Sequence, residues 1–202
     1  MSDGSGPPGA RLRRGPVFGP SAVLTPANVV TALRLLASPL AFTMMMREAD
    51  HSSWPLAGLW FVLSMTDMVD GRLARKYGST RSGAFLDPLA DKVLVLGGVG
   101  AMCVEGRFPW VAWVLIALRE AAISAFRAGY VRKGLAVPAS KLAKWKAFVQ
   151  LAAVGWVTLP WTNGIRWLAD ATLWIGVVVG LVSGAQYLVA GRGAATTMEP
   201  PT

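Results

Sequence analysis

Six apolar runs, at about 27–46, 54–70, 85–104, 109–130, 144–161 and 168–190, alternate with short polar stretches along the chain. Each is close to the ~20 residues an α-helix needs to cross a bilayer. The pattern predicts an all-α integral membrane protein, a bundle of six transmembrane helices. Residues 1–25 are rich in Gly and Pro and carry Arg11, Arg13 and Arg14, so they read as a disordered basic cytoplasmic tail. A single membrane domain is expected over 26–191, followed by a flexible C-terminal tail at 192–202. Arg34 interrupts the apolar region of the first run, which argues against a cleaved signal peptide there.

The placement of Lys and Arg orients the bundle. With the N-terminus in the cytoplasm, the loop after the second run holds Arg72, Arg75, Lys76 and Arg81, and the next cytoplasmic loop holds Arg132, Lys133 and Lys141. The opposite side carries Arg47, Arg107 and Arg166. Trp54, Trp110, Trp113, Trp161 and Trp167 fall at the outer helix ends, where an amphipathic ring suits the headgroup region. Both signals predict N-in, C-in topology with a polar site open to the cytoplasm.

Composition sharpens this picture. Hydrophobic residues make up 53% of the chain and charged ones 15%, too apolar a balance for an ordinary soluble domain. The net charge of +9 raises nucleic acid as a partner, but the basic residues are dispersed between apolar runs, so no nucleic-acid partner is expected. Cys103 is the single cysteine, without metal-ligand spacing around it, and reads as a packing residue. Internal repeats, heptads and Cys/His clusters are absent from the sequence.

The candidate chemistry lies in Asp67-Met68-Val69-Asp70-Gly71-Arg72-Leu73-Ala74-Arg75 and Gly83-Ala84-Phe85-Leu86-Asp87-Pro88-Leu89-Ala90-Asp91. On helices, Asp67 and Asp70 at i, i+3 share a face, as do Asp87 and Asp91 at i, i+4. Two adjacent helices thereby aim four acids at one point. Such a cluster requires neutralisation in an apolar setting, and hard oxygen ligands without His or Cys suit Mg²⁺, Mn²⁺ or Ca²⁺. Divalent metal is what phosphoryl-type transfer uses. Gly71 and Gly83 permit close approach to the backbone, Ala74 keeps the same wall low, and Arg75 offers a planar fork for phosphate.

This pattern, D-x-x-D-G-x-x-A-R followed by G-x-x-x-D-x-x-x-D, resembles the signature of the CDP-alcohol phosphatidyltransferases, matched at every fixed position over residues 67–91. Weaker likeness extends from about residue 26 to residue 150. Seven residues separate Arg75 from Gly83, a slightly tighter connection than in many members. The resemblance implies a six-helix membrane bundle, a homodimer, and a site in which Asp67, Asp70, Asp87 and Asp91 surround Mg²⁺ or Mn²⁺, two ions, with Asp91 as general base. It also implies that Asn28, Thr31, Asp70, Gly71, Ala74, Arg75 and Gly83 hold the CDP-lipid. A plasma membrane location, in a bacterium, follows from the likeness to bacterial enzymes.

Asn28, Thr31 and Arg34 resemble the first-helix pattern N-x-x-T-x-x-R of the phosphatidylglycerolphosphate synthases within that family, as does the run A-F-L-D-P-L-A-D-K around Asp87. The implied donor is CDP-diacylglycerol and the implied acceptor glycerol 3-phosphate. Arg119 and Arg127, eight apart, lie near one helix face, and Lys144 and Lys146 open the next helix, so four cations are expected around the acceptor phosphate. Ala143 and Ala147 stand where the related segment G-K-x-K-T has Gly and Thr. The expected reaction is direct displacement of CMP, since His51 and Cys103 lie far from the motif. Inositol phosphate or phosphatidylglycerol as acceptor, and a cation transporter, are the competing readings; the second, third and sixth runs are too apolar for an ion path.

Overall fold

The computed structural model describes residues 25–48, 51–77, 81–132, 141–162 and 164–196, with the backbone alone at 67–77, 81–85, 130–132, 141–144 and 190–196. The N-terminal tail and Lys133 lie outside the described residues. Six α-helices account for nearly everything else: α1 Pro26–Arg47, α2 Trp54–Tyr77, α3 Arg81–Val104, α4 Trp110–Arg132, α5 Lys141–Thr158 and α6 Arg166–Thr196. A 3₁₀ turn at Pro160–Thr162 precedes the last helix. Among the described residues, Pro26–Arg47 and Arg166–Val189 are each long and apolar enough to cross a membrane.

Local chemistry starts α1 cleanly. Thr25 caps it by accepting from Asn28 N at 3.2 Å, and Pro26 occupies the first turn, where its missing N–H has no helical partner to lose. The helix then reverses the soluble pattern. Asn28, Thr31, Arg34 and Ser38 are buried, whereas Val29, Leu33, Leu36 and Leu40 face outward, Leu36 with 78% of its surface exposed. A helix with polar residues inside and apolar ones outside suits an apolar surrounding rather than water.

The bundle forms around two groups. Helix α1 packs on α2 and α3, α6 packs on α5 and α4, and α3 joins the groups through α4 and α5. Trp60 of α2 and Trp113 of α4 sit at these seams. Trp60 Nε1 donates to Leu151 O of α5 at 3.0 Å, and Trp113 Nε1 to Leu96 O of α3 at 2.8 Å, so both buried indole N–H groups are satisfied. At the end where α2, α4 and α6 begin, Arg107 pairs with Asp170 at 2.8 Å and Trp54 meets Trp161 edge-on at 5.1 Å.

The structure moves two sequence-based boundaries. Arg72, Arg75 and Lys76 are not in a loop: α2 runs on to Tyr77 and Arg81 already opens α3. Arg, Leu, Ala and Lys are good helix formers, so the helix continues past the last apolar residue of the run. α6 likewise continues to Thr196, beyond the tail boundary read at 191.

Gly97 and Gly98 allow α1 and α2 to close on α3. A Cβ at Gly97 would lie 2.3 Å from the Phe42 ring, and one at Gly98 would lie 2.4 Å from the Trp60 ring. Gly98→Val is therefore expected to destabilise the bundle by about 1–3 kcal/mol through overpacking, read as a lower thermal midpoint in detergent. Gly58→Ala, at a position with nothing within 4 Å of the added methyl, should hold or raise that midpoint.

Candidate functional site

Helix α3 carries the described half of the aspartate set. Thr31 Oγ1 lies 2.9 Å from Asp87 Oδ1, and Arg34 Nη1 lies 3.0 Å from Asp91 Oδ1, so the polar stripe of α1 holds both carboxylates of α3 in register. Arg34 Nε also donates to Thr66 Oγ1 of α2 at 3.2 Å. The Arg34 side chain is buried, while Asp91 keeps 44% of its side chain exposed. One face of Asp91 is thus pinned and the other is open.

That open face borders a cavity of about 270 Å³ between α3, α4, α5 and α6. Asp87, Asp91 and Lys92 line it on α3, Arg119, Glu120, Ser124 and Arg127 on α4, and Lys146 and Gln150 on α5. Arg119 is anchored from α6: its Nε donates to Gly180 O at 3.1 Å and its Nη2 to Ser183 Oγ at 3.0 Å. Glu120 accepts from Arg119 Nη1 at 2.9 Å and from the Lys146 ammonium through the same oxygen. On the opposite side, Lys92 Nζ donates to Ser124 Oγ at 2.7 Å, and Ser124 Oγ to Glu120 O at 2.5 Å.

Glycines on α6 make this anchoring possible. Gly176, Gly180 and Gly184 repeat every four residues and so share a face. A Cβ at Gly176 would meet Gln150 Cγ at 2.8 Å, and one at Gly184 would meet Arg119 Nε at 3.4 Å. The absence of side chains lets α4 and α5 bring their polar groups against the α6 backbone.

Five of the sequence-predicted site residues therefore converge: Asp87, Asp91, Arg119, Arg127 and Lys146 line one cavity. Thr31 reaches the site through Asp87, whereas Asn28 is buried one turn away and does not line the cavity. The side chains of Asp67, Asp70, Gly71, Ala74, Arg75, Gly83 and Lys144 lie outside the described residues; the backbone places Asp67 and Asp70 at i, i+3 on α2. His51 and Cys103 belong to the opposite end, with His51 Nδ1 against Met45 O at the close of α1 and Cys103 in the last turn of α3.

The lining donors are oxygen atoms, with no His or Cys among them, which fits a hard divalent cation. Among the described residues no three acidic, His or Cys side chains are grouped closely enough to hold a metal alone. Asp87 and Asp91 fit as part of a ligand set, not the whole of one. Sequence reasoning met Glu120, Lys92 and Gln150 inside the segments that resemble the family but gave them no role, and it did not single out Ser183. Glu120 was findable as an acid inside an apolar run, and the Gly176-Gly180-Gly184 spacing marks the face of α6 that receives its neighbours.

A family model described as CDP-alcohol phosphatidyltransferase matches residues 24–182. The chain is 32% identical over 183 residues to a Mycobacterium tuberculosis protein named "Probable phosphatidylglycerophosphate synthase", spanning 89% of this chain and 87% of that one. It is 33% identical over 178 residues to a CDP-diacylglycerol–glycerol-3-phosphate 3-phosphatidyltransferase of Bacillus subtilis, spanning 79% and 91%. A Haemophilus influenzae protein of the same name is 29% identical over 170 residues, spanning 82% and 92%.

The pinning of Asp91 has a measurable cost when removed. Arg34→Met removes the Arg34 contacts to Asp91 and Thr66 and should lower stability by about 2 kcal/mol. The partial exposure of Asp91 keeps the loss below that of a fully buried pair. Thermal unfolding in detergent reads the change.

Proposed function

This chain belongs to the CDP-alcohol phosphatidyltransferase family, and from that premise we propose that it transfers the phosphatidyl group of CDP-diacylglycerol to glycerol 3-phosphate, forming phosphatidylglycerolphosphate and CMP. The observation that carries the reading is the division of one cavity into an acidic wall, Asp87 and Asp91, and a basic wall, Arg119, Arg127 and Lys146. The two walls suit the two halves of the reaction. The acidic wall serves a pyrophosphate held with divalent metal, and the basic wall serves the phosphate monoester of the acceptor. The names borne by the relatives from Haemophilus influenzae and Bacillus subtilis support the same donor and acceptor, and that of the Mycobacterium tuberculosis relative the same product.

In this reading Asp67, Asp70, Asp87 and Asp91 would hold Mg²⁺ or Mn²⁺, as two ions, and the bound metal would supply positive charge to offset that of the pyrophosphate. Asn28, Thr31, Gly71, Ala74, Arg75 and Gly83 shape the CDP-lipid site beside Asp70, and Arg119, Arg127, Lys144 and Lys146 orient the acceptor through its phosphate. Asp91 takes the proton of the acceptor hydroxyl as that oxygen attacks the lipid-side phosphorus. The bond from this phosphorus to the CMP phosphate oxygen breaks, and the electron pair leaves with CMP. Arg34 on the closed face of Asp91 keeps the carboxylate turned toward the cavity.

The setting we propose is a homodimer of six-span subunits in a bacterial plasma membrane, both termini cytoplasmic. The outward apolar residues of α1, with Phe61 and Val62 of α2 and Ile175 and Val178 of α6, support a lipid-facing surface. The exposed Trp54, Trp110, Trp161 and Trp167 cluster at the end opposite the cavity, as an interfacial belt requires.

The test is CMP release from CDP-diacylglycerol in detergent with Mg²⁺ or Mn²⁺, offering glycerol 3-phosphate and inositol phosphate separately. Glycerol 3-phosphate should support turnover and inositol phosphate should not. Asp91→Asn should lower the rate at least about a hundredfold in folded protein, the scale of a lost general base. Wild-type turnover in that variant would remove Asp91 from the chemistry.

A further inference from the structure

The basic wall contains one acid. Glu120 has only 14% of its side chain exposed, and a single oxygen of its carboxylate meets both Arg119 and Lys146. The two cations are held differently. Arg119 has independent anchors in Gly180 O and Ser183 Oγ, whereas Lys146 reaches from α5 to Glu120 as its ion-pair partner among the described residues. A buried ammonium requires a counter-charge, and Glu120 supplies it to Lys146. A phosphate monoester arriving at the same two cations supplies that charge a second time and sets an anion beside Glu120.

We infer that Glu120 is the resident counter-anion of the acceptor site, a positioning residue that holds Lys146 while the cavity is empty and competes with the acceptor's phosphate for Lys146 and Arg119. The inference rests on the acceptor-phosphate reading above. It makes acceptor affinity a difference between two ion pairs rather than the strength of one. An alcohol without a phosphate has nothing to exchange for the Glu120 contact and is rejected by the basic wall. A phosphorylated alcohol exchanges one anion for another, binds moderately and is readily released.

Glu120→Gln keeps the size of the side chain and an accepting oxygen but removes the charge. Wild type, Glu120→Gln and Lys146→Gln are compared by thermal unfolding in detergent across titrations of inorganic phosphate and glycerol 3-phosphate, alongside KM and kcat from CMP release. Glu120→Gln should be less stable without phosphate and more strongly stabilised by it, with acceptor KM lowered about tenfold, as loss of one nearby like charge predicts. Lys146→Gln should lose the phosphate response. If Lys146→Gln loses it while Glu120→Gln responds no more strongly than wild type, Glu120 is a purely structural partner and the inference falls, with the acceptor reading intact. No phosphate response in wild type or either variant overturns both. Should Glu120→Gln not fold, Glu120→Asp keeps the charge but withdraws it from Lys146, so acceptor KM should fall by a smaller factor and the phosphate response should rise; an unchanged KM and response would overturn the inference.

Discussion

A charge inside an apolar helical bundle must meet either an opposite charge or a backbone oxygen, and much of this architecture follows from where those partners lie. Arg34 on α1 finds Asp91 on α3 and Thr66 on α2; Arg119 on α4 finds Gly180 O and Ser183 on α6; Lys146 on α5 finds Glu120 on α4. Arg34 to Asp91 and Arg119 to α6 join helices that are not consecutive in the chain, whereas Arg34 to Thr66 and Lys146 to Glu120 join consecutive ones. Electrostatic satisfaction and helix packing are therefore the same contacts seen from two sides. The apolar residues turned outward from α1 complete the logic, since the polar stripe has nowhere else to go.

These pairings also divide labour around the cavity. Helices α1 and α3 fix the acids through Thr31–Asp87 and Arg34–Asp91, while α4, α5 and α6 fix the cations. Asp87 and Asp91 lie on α3, and Arg119, Arg127 and Lys146 on α4 and α5, with Lys92 beside the first set and Glu120 within the second. The cavity lies between these two sets of side chains.

The two ends of the bundle are built for different purposes. At the end where α2, α4 and α6 begin, Arg107–Asp170 and the Trp54–Trp161 contact tie elements far apart in sequence. Toward the other end the helices enclose the cavity, and its rim includes the exposed Arg127. One end is fastened by contacts between helices; the other offers its polar groups to a ligand.

By itself the sequence determined the helical class, the positions of the six helices to within a few residues, and the acid-bearing motif, because apolar run length and i, i+3 or i, i+4 spacing are local properties. It also identified Arg119, Arg127 and Lys146 as cations bound for one place, from spacing and resemblance together. It misplaced Arg72, Arg75 and Lys76 in a loop because hydropathy stops at the last apolar residue whereas helix propensity does not. Only the tertiary structure decided which partner each charge takes. That Glu120 bridges Arg119 and Lys146, that Arg34 faces Asp91, and that the α6 glycines admit Arg119 and Gln150 all depend on how separate helices pack against one another. Charge pairing across a bundle is set by which faces meet, and residue spacing within any one helix cannot specify that.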